Sequence, residues 1–424
     1  MKKIFQINFK NIFLIYLFYI LLICTLSFVF ATVFSNKFLV MDKNNQIILE
    51  NISFEFGELI NNLYLSKGYF HEIEGIKYYL QKLPAIPFLL LSISKISMNY
   101  FFVVIFKNFL IFSLYFFLCY QFLKNLSHKI FFYLILIVPI FIPYNLSVAL
   151  NYVYEDCIIA ILLPILFISL VSKNKNRFTA ISVILFVLYL TKTSMFLLTL
   201  ILPLVILLYE KKIFIKLKIL PLISVIFAIS IWGYFGHVKT GKIPFGSSGA
   251  SNNSFVLSHV LNQNFKDYYP KKSLDIIPLT IPDKKFISEW DRYKYYDKKN
   301  KNYLKKNYKS YLFDCVTKIK FILFGIHRDS ALPDENGYFN NKIRFSLILN
   351  KLFLNLSFII LLINLYKNYK ANNLSRENLY YLLIIVLNFT PHVVGWATSK
   401  HLVASTSVSI IYLIFQLKNK KIRN

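Results

Sequence analysis

Apolar positions in this chain come in long unbroken runs, separated by short polar links, rather than at an amphipathic helical or strand period. Residues 11–34 run for over 20 positions without a charge, about the length that crosses a ~30 Å hydrocarbon core. Further stretches follow at roughly 99–123, 129–148, 156–172, 178–191, 194–209, 217–236, 345–366, 378–396 and 402–417. The pattern predicts an all-α integral membrane protein with about ten transmembrane helices. The first run follows Lys2 and Lys3 but is too long for a signal-peptide core. Phe30-Ala31-Thr32-Val33-Phe34 is also a poor cleavage site, so the run reads as a retained signal-anchor helix.

The polar links set the orientation. The N-terminus (Lys2, Lys3, Lys10), the links at 124–129, 173–177, 211–218 and 367–376, and the tail at 418–423 are all basic. If the spans alternate, these six segments share one side, and the positive-inside rule places that side and both termini in the cytoplasm. The expected location is therefore the cytoplasmic membrane.

Two long segments then fall outside. Residues 35–98 hold Asp42, Glu50, Glu55, Glu58, Glu72 and Glu74 and close on an apolar stretch at 87–96, a length that suits an interfacial helix. Residues 237–344 are polar, rich in Tyr and Lys, and long enough for a small ordered lobe. Its run from Gly246 to Ser254 reads as flexible, because glycines and small polar side chains support no packed core. The expected organisation is an N-terminal transmembrane module over 1–236, a lobe over 237–344 and C-terminal transmembrane helices over 345–424.

Composition agrees with this picture and removes alternatives. Hydrophobic residues make up 56% of the chain and aromatics 18%, more apolar surface than a soluble fold of this size would hide. The net charge of +29 reads as loop lysines facing anionic lipid, with a nucleotide-biased genome as the plainer source of the Lys, Asn and Ile excess. No nucleic-acid-binding module accompanies the charge. The four cysteines, Cys24, Cys119, Cys157 and Cys315, show no metal or redox spacing and read as packing residues.

Several polar residues stand out at the outer ends of the spans. Glu55 and Glu58 are three apart on the first loop, which would put both carboxylates on one side of a helix. Glu155 and Asp156 open the fourth span, Lys192 occupies the short turn between the fifth and sixth, and Lys400 and His401 precede the last. Short outer turns usually avoid lysine, so Lys192 and Lys400 run against the orientation bias. Each has a bland reading: solvated carboxylates, lysines snorkelling to lipid phosphates, and His392 and His401 packed at an interface. Together they suit transfer from a lipid-linked phosphate. A carboxylate takes a proton from an acceptor hydroxyl, and a cation neutralises the departing phosphate.

The stretch from Glu55 through Asn61-Asn62-Leu63 to Gly68-Tyr69 resembles the first outer loop of C-type (GT-C) membrane glycosyltransferases related to protein O-mannosyltransferases and aminoarabinose lipid A transferases. Lys82-Leu83-Pro84 through Pro87 is similar to their juxtamembrane helix start, Tyr154-Glu155-Asp156 to their second acidic loop, Leu190-Thr191-Lys192 to their Leu-Thr-Lys/Arg turn, and Ser399-Lys400-His401 to the segment opening their last span. The chain departs from the pattern in lacking a paired Asp-Glu in the first loop and a proline after Lys400-His401.

The resemblance implies an inverting transferase moving a sugar from a polyprenyl-phosphate donor to a glycan, lipid or protein acceptor in the cell envelope. Under it, Glu55 is the expected base, with Glu58 beside it. Glu155 and Asp156 would contact acceptor or metal, and Lys192, Lys400 and His401 would hold the lipid phosphate. Arg328 joins these phosphate candidates outside the resemblance, because His327-Arg328-Asp329 is a compact charged cluster shortly before the eighth span, which also reads as a structural ion pair. A divalent cation is left open. The alternatives are a flippase or other transporter of lipid-linked oligosaccharides, and an O-antigen-type polymerase. Only Lys107 lies deep in a predicted span, and no repeat is seen, whereas transporters often show both buried ionisable groups and repeats.

Overall fold

A computed structural model describes residues 9–38, 56–73, 75–124, 129–150, 155–174, 176–210, 213–248, 286–324, 341–370, 375–395 and 399–423. Among these residues the fold is all-α, about 84% helical. Its helices are α1 (Phe9–Phe38), α2 (Gly57–Tyr64), α3 (Ala85–Ser94), α4 (Tyr100–Leu123), α5 (Lys129–Phe141), α6 (Pro143–Leu150) and α7 (Asp156–Val171). There follow α8 (Arg177–Thr191), α9 (Phe196–Tyr209), α10 (Ile215–Thr240), α11 (Glu289–Phe324), α12 (Asn341–Lys370), α13 (Arg376–Val394) and α14 (Val403–Arg423). A small antiparallel hairpin, β1 (His71–Ile73) and β2 (Ile76–Tyr78), pairs His71 with Tyr78.

Four helices are long and apolar enough to cross a membrane: residues 12–32, 100–123, 215–240 and 345–367. The bent pair α5–α6 makes a fifth if it counts as one span. These five match five of the ten stretches expected from sequence. Four others form shorter apolar helices or helix pieces at 156–171, 177–191, 193–209 and 403–418. The tenth is α13, which carries Asn388, Thr390, Pro391 and His392 in its last turns. The expected interfacial stretch is the short helix α3.

Local chemistry explains the boundaries. Asn99 caps α4 by accepting the Phe102 N–H at 3.2 Å, and Ser375 caps α13 through the Asn378 N–H at 3.3 Å. Between α5 and α6 the helix breaks at Ile142 and turns by 76°, as expected for a residue held out of the helical region by the proline after it. α10 stops at Gly241, whose φ of 69° is left-handed and costs glycine little.

The centre of the bundle is α7, buried on every side from Asp156 to Leu170, with α14 packed along it. Helices with apolar residues all round belong in such a core. The seams beside it are stitched by hydroxyls. Tyr381 stacks on Tyr412 at 4.1 Å and shares hydrogen bonds with Ser357 and Ser409, while Asn388 bonds Ser405 at 2.6 Å. Two ends can be told apart by their charges. One holds Asp156, and the other holds Glu210.

Candidate functional site

Asp156 sits in the first turn of α7, where a carboxylate is favoured by the helix dipole. Lys192 follows α8 in an extended conformation, which turns its side chain back across the bundle. Its Nζ donates to both Asp156 oxygens at 2.9 Å. The side chains are only 6% and 18% exposed, so water screens this pair weakly. His401 Nε2 lies 4.0 Å from Asp156 Oδ2, too far for a hydrogen bond but close enough to feel the charge. The His401 ring stacks on His392 at 4.3 Å, and His392 is buried in the last turn of α13. Four residues from three distant parts of the sequence thus meet at one end of the bundle.

The first loop reaches the same corner. Buried Tyr69 donates to the Lys82 carbonyl at 2.8 Å. Burial, and then the neighbouring Glu155 carboxylate, holds its hydroxyl well above the usual tyrosine range. Lys82 also lies over the ring of Phe56 at 5.5 Å, the residue that follows Glu55.

Below Asp156, fully buried Lys107 hydrogen-bonds the Cys157 thiol. Lys107 and Asn108 both donate to the Leu150 carbonyl, at 3.3 and 3.2 Å. They thereby satisfy an end carbonyl of the broken helix α6, which hydrocarbon could not.

The segment after α10 folds over the Lys192 turn. Tyr189 donates to the Phe245 carbonyl at 2.6 Å, Trp232 to the Gly246 carbonyl at 3.0 Å, and the Ser247 N–H to Thr193 Oγ1 at 3.1 Å. Residues 246–248, expected to be flexible, are instead packed, because neighbouring helices supply the partners their own side chains lack. Ser248 then bonds Glu289 at the start of α11. The same carboxylate accepts the N–H groups of Tyr79 at 3.0 Å and Leu80 at 2.9 Å, which locks the first loop to α11.

The other expected site residues fall elsewhere. Glu58 is engaged within its own loop: it accepts the Glu72 N–H at 2.6 Å and lies 3.4 Å from His71 Nδ1. Lys400 lies on the short 3-10 turn Ser399–Leu402 beside His401. Glu55 and Arg328 lie outside the described residues. Among the described residues, no group of three His, Cys, Asp or Glu side chains is arranged to hold a metal ion.

Sequence reasoning missed a second buried cluster, at the opposite end. Glu210 takes Arg177 at 3.1 Å, Arg376 at 2.6 Å and the Tyr380 hydroxyl at 3.0 Å. Arg177 also donates to the carbonyls of Leu170 and Ser172, each at 2.9 Å. The available signal was a lone acid beside Lys211 and Lys212. Comparison with protein-family models, with curated proteins and with solved structures gives no match.

Proposed function

We propose that the Asp156 end is the active site of a membrane glycosyltransferase that uses a polyprenyl-phosphate-linked sugar. On this reading all ten apolar stretches cross the cytoplasmic membrane, and the Asp156 end faces outward. The observation that carries it is the buried Lys192–Asp156 pair with His401 alongside, set under a loop that brings Tyr69 to Glu155. A cation held in place by a carboxylate is preorganised to receive a phosphate, since little reorganisation is needed as charge grows on it.

In the proposed reaction an acceptor hydroxyl oxygen bonds to the anomeric carbon as the bond from that carbon to the phosphate oxygen breaks. The hydroxyl proton goes to a carboxylate, Glu155 or Glu55, and the lipid phosphate departs toward Lys192 and His401. Asp156 keeps Lys192 aimed at the phosphate.

The test is transfer of labelled sugar by purified full-length protein. Glu155→Gln and Glu55→Gln are compared; loss of the base is expected to lower the rate about 10²–10⁴-fold in one of them. Lys192→Ala should weaken donor binding as well as turnover. Wild-type rates in all three variants would remove the assignment.

One feature favours a second reading, transport of a lipid-linked glycan. The broken α5–α6 helix, with Lys107 and Asn108 on its end carbonyl, resembles the discontinuous helices on which transporters build sites. Movement of a labelled lipid-linked sugar across vesicles, without transfer, would favour it.

A further inference from the structure

Helix α11 changes character along its length. The backbone at Asn307 is non-helical (φ −128°, ψ 28°), so the element is two helices meeting at a kink. Before and around it stand Lys298, Lys299, Lys301, Lys305, Lys306 and Lys309, all exposed. No carboxylate occurs between residues 298 and 313. Beyond it, Lys309, Leu312, Val316, Ile319 and Leu323 recur at three- and four-residue spacing, which puts them on one face. Leu312, Val316 and Ile319 are 59%, 49% and 45% exposed.

The lower end of this stripe runs into a cavity of about 590 Å³ between α11, α12 and α13. Ile319, Leu323, Phe358, Ile385 and Phe389 are among its walls, and the lining is almost wholly apolar. The end of α11 is fixed there by α12: Lys351 donates to the Ile322 carbonyl at 2.5 Å and Asn355 to the Leu323 carbonyl at 2.9 Å. Higher up, Tyr311 and Lys318 donate to the carbonyls of Val394 and Gly395, at 2.8 and 2.6 Å. The second half of α11 therefore descends along a span rather than lying free.

We propose that this stripe binds one anionic phospholipid of the surrounding bilayer, its headgroup at Lys305, Lys306 and Lys309 and one chain in the cavity. From Lys309 to Ile319 the helix descends roughly 15 Å at 1.5 Å per residue, about half of a ~30 Å hydrocarbon core. Cations at one level and an apolar slot about one leaflet's depth below match a phosphate and its acyl chain. Lysines in this position attract anionic headgroups. The wide exposure along the stripe suits an abundant bilayer lipid over a scarce one that would need an enclosing tunnel. The inference stands apart from the chemistry at Asp156.

The experiment uses full-length protein reconstituted in vesicles of equal phosphatidylglycerol and phosphatidylcholine, extracted in mild detergent. Lipids retained per protein are counted by native mass spectrometry. The wild type should keep phosphatidylglycerol in preference. A Lys305→Gln/Lys306→Gln/Lys309→Gln variant should lose that preference, by about fivefold for each lysine removed, from the ~1 kcal/mol that each contributes near an anionic surface. Ile319→Trp, which fills the cavity, should lower retention of both lipids. Lys294→Gln/Lys298→Gln/Lys299→Gln, on the same helix before the kink, should behave as wild type. Equal retention in the wild type and the first triple variant would overturn the proposal, as would equal loss in the second. Displacement of phosphatidylglycerol by stoichiometric polyprenyl phosphate would also overturn it, by assigning the slot to an isoprenoid.

Discussion

Gly246 lies against Thr193 with no room for a side chain: a β-carbon at residue 246 would come within 2.8 Å of Thr193 Cγ2. The contact holds the segment after α10 down on the turn that presents Lys192. Gly246→Ala should therefore destabilise the protein by about 1–3 kcal/mol, the usual cost of overpacking, and disturb the Lys192 turn. Thr193→Ser removes the offending methyl and keeps the hydroxyl that Ser247 uses. The double variant should recover most of the loss in a detergent melting experiment.

The Asp156–Lys192 pair should be strongly coupled. Removing either partner leaves a buried charge alone, which typically costs about 3–5 kcal/mol. Asp156→Asn and Lys192→Met should each lower the melting temperature, and the double variant should cost less than the two added together. A coupling energy on the order of 1–3 kcal/mol is expected from a double-mutant cycle. Strict additivity would mean that the two side chains do not meet.

Glu289 should make the joint between the first loop and α11 sensitive to pH. Burial, outweighing its bonds to Ser248, Leu80 and Tyr79, raises its pKa above the ordinary 4.5. A carboxyl raised in the folded state binds protons more tightly there than in the unfolded chain. Its contribution is then fully present below about pH 4.5 and is lost as pH rises through the higher folded value. The difference in melting temperature between wild type and Glu289→Gln should shift against the wild type over that window. A difference that stays flat with pH would contradict the assignment.

At the other end, Glu210→Gln should cost more than Arg376→Met. The first change strands Arg177, whose side chain is 3% exposed, whereas Arg376→Met removes a partner that is 26% exposed and leaves Glu210 paired with Arg177. Melting temperatures of the two variants provide the comparison.

Charge placement made part of the site legible. A lysine in a short turn of an otherwise polarised chain marked Lys192, and an acidic pair at the outer mouth of the fourth span marked Asp156; the two touch. His392 and His401 both read as packing or interfacial residues; that their rings stack on each other is a tertiary contact with no mark in the sequence. Glu289 was invisible for a similar reason: its partners Tyr79 and Leu80 lie 210 and 209 residues away. Residues 246–248 of the run that looked flexible are packed, because composition reports a segment's own side chains, whereas Tyr189, Trp232 and Thr193 supply the partners; residues 249–254 lie outside the described residues. Of the expected lobe, residues 289–324 form a long bent helix that packs on α12 and α13. Its polar, Lys- and Tyr-rich first half hid the apolar stripe beyond Asn307.

The Glu210 cluster also bears on how the chain is assembled. During synthesis Arg177 and Glu210 emerge together, but Arg376 and Tyr380 follow only after more than 160 further residues. Until then Glu210 has only one of the three side-chain donors that hold it in the finished bundle. A chain cut short before α13 would keep a half-satisfied carboxylate where the bundle should close, a chemical mark by which a protease could tell an unfinished molecule from a complete one.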